Sequence, residues 1–140
     1  MNIMNPASAP TTEATLQPLP SASGQPRRYG DFATFPDALD YAAQGTAGFN
    51  IYSGNGALLA ALPYSLLRTQ AIETAKRLLG TALQAGDRVA IVAESDGDFA
   101  RIFFGCQYAG LVSAPLPLPV AFCGHSAYTP TLRGRISPAQ

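Results

Sequence analysis

The sequence predicts an α/β fold, a β-hairpin followed by a parallel βαβ unit with flanking helices. Three observations carry this. Gly54-Asn55-Gly56 sits between two apolar runs, and Asn-Gly is the strongest short hairpin signal because both residues tolerate positive φ. Leu67, Ala71, Ala75, Leu78 and Ala82 recur at three- and four-residue steps, the stripe of an amphipathic helix. Finally, "RVAIVA" is apolar without alternation and is followed by a helical pattern and a second short apolar run, "LVSA". An unalternating run is expected of a strand covered on both faces of a parallel sheet.

Taken in order, residues 1–28 are rich in Pro, Ala, Ser and Thr with no period, and read as a disordered leader that cannot bury enough surface to offset its ordering entropy. Order is expected across 29–140. "TFPDALDYAAQG" places Leu39, Ala42 and Ala43 on one helical face, with Gly45 as its stop. The hairpin follows, and then the long helix from Tyr64 to about Leu83. "SGNGALL" could imitate a dinucleotide-binding glycine loop, but Leu59 stands where the third glycine belongs and Pro63 interrupts the helix that should follow.

After the strand come three carboxylates, Glu94, Asp96 and Asp98. Ser95 with Asp98 three residues later is close to a capping box, and acids are stabilising at the positive end of a helix dipole. The competing reading is a magnesium site through Asp96 and Asp98. Three acids would repel a phosphate at that helix start, and the residues favour a cap. Phe99, Ile102, Phe103 and Cys106 then form a helical face that ends at Gly110. "PLPLP", Pro115 to Pro119, should leave the sheet as an extended segment, since proline cannot join a ladder from the middle.

Composition excludes several classes of function. Nine basic and nine acidic residues cancel, and the few arginines are scattered, with Arg27-Arg28 the only adjacent pair of them, so neither nucleic acid nor an anionic membrane is an expected partner. No run approaches the ~18 apolar residues of a membrane span. Cys106 and Cys123 are too few and too far apart for a zinc site or a disulfide framework, and His125 has no partner at ligand spacing. Free thiols without a secretory signal point to the cytoplasm.

"LQAGDRVAIVAESDGDFARIFFGCQYAGLVSAPLPLP" resembles the early part of the acyl-adenylate-forming (AMP-dependent synthetase/ligase) enzymes, and within them the fatty acyl-AMP ligases. "AESDGDF", "FFGCQYAGL", "PLPLP" and the upstream "YSGNGALLAALPYSLL" carry the likeness, which spans about Phe32 to Arg133. It implies a partial N-terminal subdomain of an adenylation domain. In the whole enzyme it implies ATP, magnesium, a long-chain fatty acid and transfer of the acyl group to an acyl carrier protein. The family's phosphate loop and late catalytic lysine find no counterpart here. No Ser-Gly-Ser-Thr run precedes Pro-Lys-Gly, and the single lysine is Lys76.

The expectation is therefore an N-terminal portion that binds no cofactor by itself, is inactive alone and has the remainder of the enzyme as its partner. No catalytic, cofactor-binding or metal residue is assigned. Three alternatives stand beside it: one half of a split enzyme, a stand-alone α/β interaction module, and a small nucleotide binder. Strands that two or three helices cannot cover should also make the isolated chain poorly soluble or partly molten.

Overall fold

The computed structural model describes residues 16–94 and 96–118. The expectations for residues 1–15, for Ser95 and for residues 119–140, Pro119, Cys123 and His125 among them, lie outside these. The order is α1 (Phe35–Ala42), β1 (Gly48–Tyr52), β2 (Leu58–Pro63), α2 (Tyr64–Leu79), β3 (Arg88–Val92), α3 (Gly97–Tyr108) and β4 (Val112–Leu116). β1 and β2 form an antiparallel pair and β3 and β4 a separate parallel pair. The predicted hairpin and βαβ unit are both present.

Residues 16–28 form no helix or strand, but the expected disorder does not extend to them. Leu19 N donates to Asn50 Oδ1 at 2.7 Å and Asn50 Nδ2 donates back to Leu19 O at 2.9 Å. One amide side chain thereby imitates a strand neighbour. Thr46 N donates to Ser23 O at 3.0 Å, and the Arg28 guanidinium lies 3.9 Å from the Phe32 ring centroid.

α1 starts with a capping box that the sequence reading passed over. Asp37 N donates to Thr34 Oγ1, and Thr34 N donates to Asp37 Oδ2. The hairpin loop closes through Ser53 N to Ala57 O at 2.8 Å. Gly56, the second residue of the Asn-Gly pair, takes a φ of 85°, and Gly54 is not left-handed. Gly48 pairs with Pro63 at the open end, where a Cβ would lie 2.2 Å from Leu62 O.

α2 is shorter than its stripe suggested. It stops at Leu79, with Gly80 as its C-terminal cap, and Ala82 is exposed. Its buried face is Leu67, Ala71 and Ala75. α3 packs along it so closely that a Cβ on Gly105 would stand 2.7 Å from Thr74 Cγ2. α3 ends in a Schellman motif: Leu111 N donates to Cys106 O at 2.8 Å and Gly110, at φ 70°, donates to Gln107 O.

The buried residues form two clusters. One holds Leu39, Leu62 and Leu67; the other holds Ala75, Ile91, Cys106, Ala109 and Leu111. β3 departs from the two-sided burial expected of it. Ile91 is 2% exposed, while Val92 is 45% exposed and Arg88 and Ala90 are exposed. Among the described residues only the α3 side of this sheet is covered.

Pro115 also departs from expectation, lying within β4 opposite Ile91. Val112 N donates to Asp87 O, so by strand alternation the nitrogens of Ala114 and Leu116 face β3 as well. Those of Ser113 and Pro115 face the outer edge, where a missing N–H breaks no β3–β4 bond.

Candidate functional site: an apolar groove and the ends of the parallel strands

Three hollows border the first turns of α3: one of about 410 Å³ is lined by Gln70, Glu73, Arg77, Asp98 and Arg101 on the α2 side, and the other two are mainly apolar. The first of these two is an open groove of about 510 Å³ between β1 and α3, lined chiefly by Phe49, Tyr52, Phe99, Phe103 and Phe104. The aromatic floor follows from the sequence. Phe99 and Phe103 are one helical turn apart on α3, with ring centroids 6.0 Å apart, and Phe103 meets Phe104 and Phe35 edge-on.

Of the three polar side chains on this groove, Tyr52 is an exposed phenol and the other two are engaged. Asn50 is held by the Leu19 backbone. Asp96 Oδ1 accepts from Asp98 N and Phe99 N, each at 3.0 Å. The groove can hold apolar material; it presents no nucleophile and no acid–base pair.

The second apolar hollow, about 550 Å³, lies at the carboxyl ends of β3 and β4 against Ala93, Glu94, Phe99, Leu116 and Leu118. Open parallel sheets receive their ligands at that end. Phe99 belongs to both apolar hollows, so the first turn of α3 is the wall between them.

The three carboxylates therefore serve separate ends. Asp96, and not Ser95, is the N-cap of α3. An extended residue one position further on aims its side chain at the second and third N–H groups of the helix, as a cap requires. Asp98 pairs with Arg101, one turn along. Glu94 stands exposed at the rim of the second apolar hollow.

Cys106 is fully buried, as its apolar setting predicted, and burial pushes its thiol pKa up. That keeps it protonated and unreactive.

The polar cluster that sequence reasoning missed joins three helices. Asp40 on α1 accepts from Arg68 Nε on α2 at 2.6 Å and from the Tyr108 hydroxyl on α3. Burial pushes the Asp40 carboxyl up, but the hydrogen bonds from Tyr108 and Arg68 outweigh it and hold it below the usual carboxylate range. Burial, followed by the Asp40 hydrogen bond and charge, raises the Tyr108 phenol above its ordinary value. Capping and helix periodicity are local signals, whereas this cluster joins residues 28 and 68 positions apart. It ties helices together and faces none of the three hollows.

No protein-family model matches the chain. A Caulobacter vibrioides (strain NA1000 / CB15N) protein named "Putative acyl-CoA synthetase" is 50% identical over 116 residues, 83% of this chain and 20% of the relative. A solved structure from a study of fatty acyl-adenylate ligases from E. coli and L. pneumophila is 46% identical, with a TM-score of 0.73, over 78% of this chain and 20% of that one. The fold is shared with a fatty acid AMP ligase from Legionella pneumophila, at a TM-score of 0.58 and 20% identity, over 71% of this chain and 17% of that one.

The chain belongs to the acyl-adenylate-forming ligases, as a segment spanning about a fifth of the length of these relatives. Within that class its likeness is to the fatty acyl-AMP ligases. Among the described residues no helix is long and apolar enough to cross a membrane.

Proposed function

We propose that this chain is the supporting part of an enzyme that activates a long-chain fatty acid with ATP and magnesium, giving an acyl-adenylate for transfer to an acyl carrier protein. The observation that carries the reading is the 50% identity over 116 residues to a protein named for acyl activation. The fatty acyl-adenylate ligase structure at 46% identity supports it.

In this reading the described residues supply framework rather than chemistry. The carboxylate of the fatty acid attacks the α-phosphate of ATP and pyrophosphate leaves. The charge that develops needs cationic or backbone N–H donors placed around the phosphates. The two mainly apolar hollows beside α3 offer their walls and the exposed Glu94. Neither presents a cation; Arg77 and Arg101 line the third hollow, where Glu73 and Asp98 offset them, and in this reading the groups that hold the phosphates come from the rest of the enzyme.

The test replaces the matched fifth of the Caulobacter vibrioides relative with this chain. ATP- and magnesium-dependent formation of fatty hydroxamate is then measured in the chimera, in the parent and with the 140-residue chain alone. The expected result is activity in the chimera and none in the chain alone. A chimera inert beside an active parent defeats the ligase reading, and activity in the isolated chain defeats the supporting role. Offering phosphopantetheinylated carrier protein and coenzyme A in parallel distinguishes the acceptors, with transfer to the carrier expected.

A further inference from the structure

The loop between β1 and β2 sets an amide nucleophile beside an amide electrophile. Of the chain's four asparagines, only Asn55 precedes a glycine, and asparagine is among the thermally labile residues. Gly56 has no side chain to hinder its nitrogen, and nothing lies within 4 Å of where a Cβ would stand. Both residues are exposed, so solvent water reaches them. Asn50 differs on each count that matters. The branched side chain of Ile51 follows it, and its carboxamide is clasped by the Leu19 backbone.

Ser53 holds both groups that would react. Gly56 N donates to Ser53 O at 2.9 Å, and the Ser53 hydroxyl donates to Asn55 Oδ1. Ala57 N donates to Ser53 Oγ at 3.0 Å, and Ser53 N donates to Ala57 O at 2.8 Å, which closes the three-residue loop. The Gly56 N–H is therefore aimed at Ser53 O and not at the Asn55 side chain, whose carbonyl oxygen is fixed on the same serine.

We infer that Asn55–Gly56 is a site of deamidation through a succinimide, and that Ser53 is the latch that restrains it in the folded hairpin. When the loop opens locally, Gly56 N gives its proton to water and bonds to Asn55 Cγ. The Cγ–Nδ2 bond breaks, and Nδ2 takes up a proton and leaves as ammonia. Water then opens the ring. Its attack on Cγ gives aspartate with the original backbone, and its attack on the Asn55 backbone carbonyl carbon gives isoaspartate, in which the chain runs through Cβ and Cγ. Either product places a carboxylate where a neutral amide stood. Isoaspartate also lengthens the loop by one methylene, which disturbs the pairing of Ser53 with Ala57 and, one residue back, the Tyr52 wall of the aromatic groove. None of this rests on the ligase reading.

The experiment ages the 140-residue chain at mildly alkaline pH in buffer and in guanidinium chloride. Isoaspartate is read with the isoaspartate-specific carboxyl methyltransferase and located by mass spectrometry in the tryptic peptide 29–68, which contains Asn55. Conversion is expected in both solutions, about tenfold more slowly in buffer, the restraint that one or two retained hydrogen bonds provide. Ser53→Ala in buffer should convert faster than the parent, Ser53→Thr, which keeps the hydroxyl, should match it, and Asn55→Gln should yield no isoaspartate in this peptide.

No conversion at Asn55 even in denaturant removes the site, as does isoaspartate confined to Asp96–Gly97, the other dipeptide able to close such a ring. Equal rates for folded and unfolded protein remove the latch, as does a Ser53→Ala variant no faster than the parent. If circular dichroism finds the isolated chain unfolded in buffer, the same peptide is read from the chimera described above, with and without denaturant, and the same outcomes decide.

Discussion

The Tyr108 hydroxyl donates to the carboxylate of Asp40, a residue 68 positions earlier, and the Arg68 guanidinium meets the same oxygen at 2.6 Å. One carboxylate oxygen therefore holds the C-terminal turn of α3 and the first turns of α2 against α1. Two donors on one acceptor explain why its carboxyl stays ionised despite partial burial.

Tyr108→Phe should lower stability by about 1 kcal/mol, the usual net value of one hydrogen bond. Thermal or urea unfolding of the two proteins measures it. Equal stability would mean that the phenol is held by packing alone.

The pH dependence of the same cluster has a definite sign. Asp40 has its folded pKa lowered, so its contribution is complete above the ordinary carboxylate pKa of about 4 and is lost as pH falls through the lower folded value. The melting temperature of Asp40→Asn should therefore fall less steeply with acid below about pH 4 than that of the parent. Parallel curves would remove Asp40 from the acid response. Tyr108, with its pKa raised, contributes stability that is complete below the ordinary phenol value of about 10 and is lost above it.

Gly105→Ala is a contest between two effects. Alanine is the better helix former by about 1 kcal/mol, but its Cβ would lie 2.7 and 2.8 Å from two atoms of Thr74. Overpacking of this kind costs ~1–3 kcal/mol, so net destabilisation is expected in a denaturant titration. A more stable variant would show that α2 and α3 can part without loss.

Asp96→Ala should cost about 1 kcal/mol, the value of an N-cap, and Glu94→Gln close to nothing. The two losses should be the same with and without millimolar magnesium. A parent melting temperature that rises with magnesium while that of Asp96→Ala does not would turn the cap into a ligand.

Gly56→Ala places a Cβ at φ 85° and should cost roughly 1–2 kcal/mol. Gly54→Ala should be close to neutral, since Gly54 is not left-handed and a Cβ there meets nothing within 4 Å. Equal effects at the two positions would contradict the observed turn.

The hairpin, the stripe of α2 and the cap-and-strand logic around β3 were legible because each is written in neighbouring residues. Boundaries slipped where the pattern ran on past its structural end. Ala82 continues the α2 stripe, yet Gly80 releases the helix first. The cap moved from Ser95 to Asp96 because both residue types can accept from a helix start, and only the backbone decides which one faces it. An apolar run such as Val89–Val92 says that burial is wanted but not which chain supplies it. For that reason two-sided cover was expected and one-sided cover is found. The Leu19–Asn50 clasp and the Asp40 cluster were invisible because their partners meet only after the chain has folded back. The groove between β1 and α3 draws its lining from two stretches far apart in the chain, so it could not be read in advance.

The division of the buried residues into two clusters, both of which draw on α2 and α3, sets an order of events in time. A two-stranded sheet gains little until something covers it. The hairpin waits for Leu67 to complete its cluster, and β3–β4 waits for Cys106 and Ala75 to complete the other. Helix formation and docking are therefore expected first, with the two sheets condensing afterwards and independently of each other. Substitutions at Ala71 or Gly105 should slow refolding, whereas those at Ile51 or Val89 should act mainly by speeding unfolding.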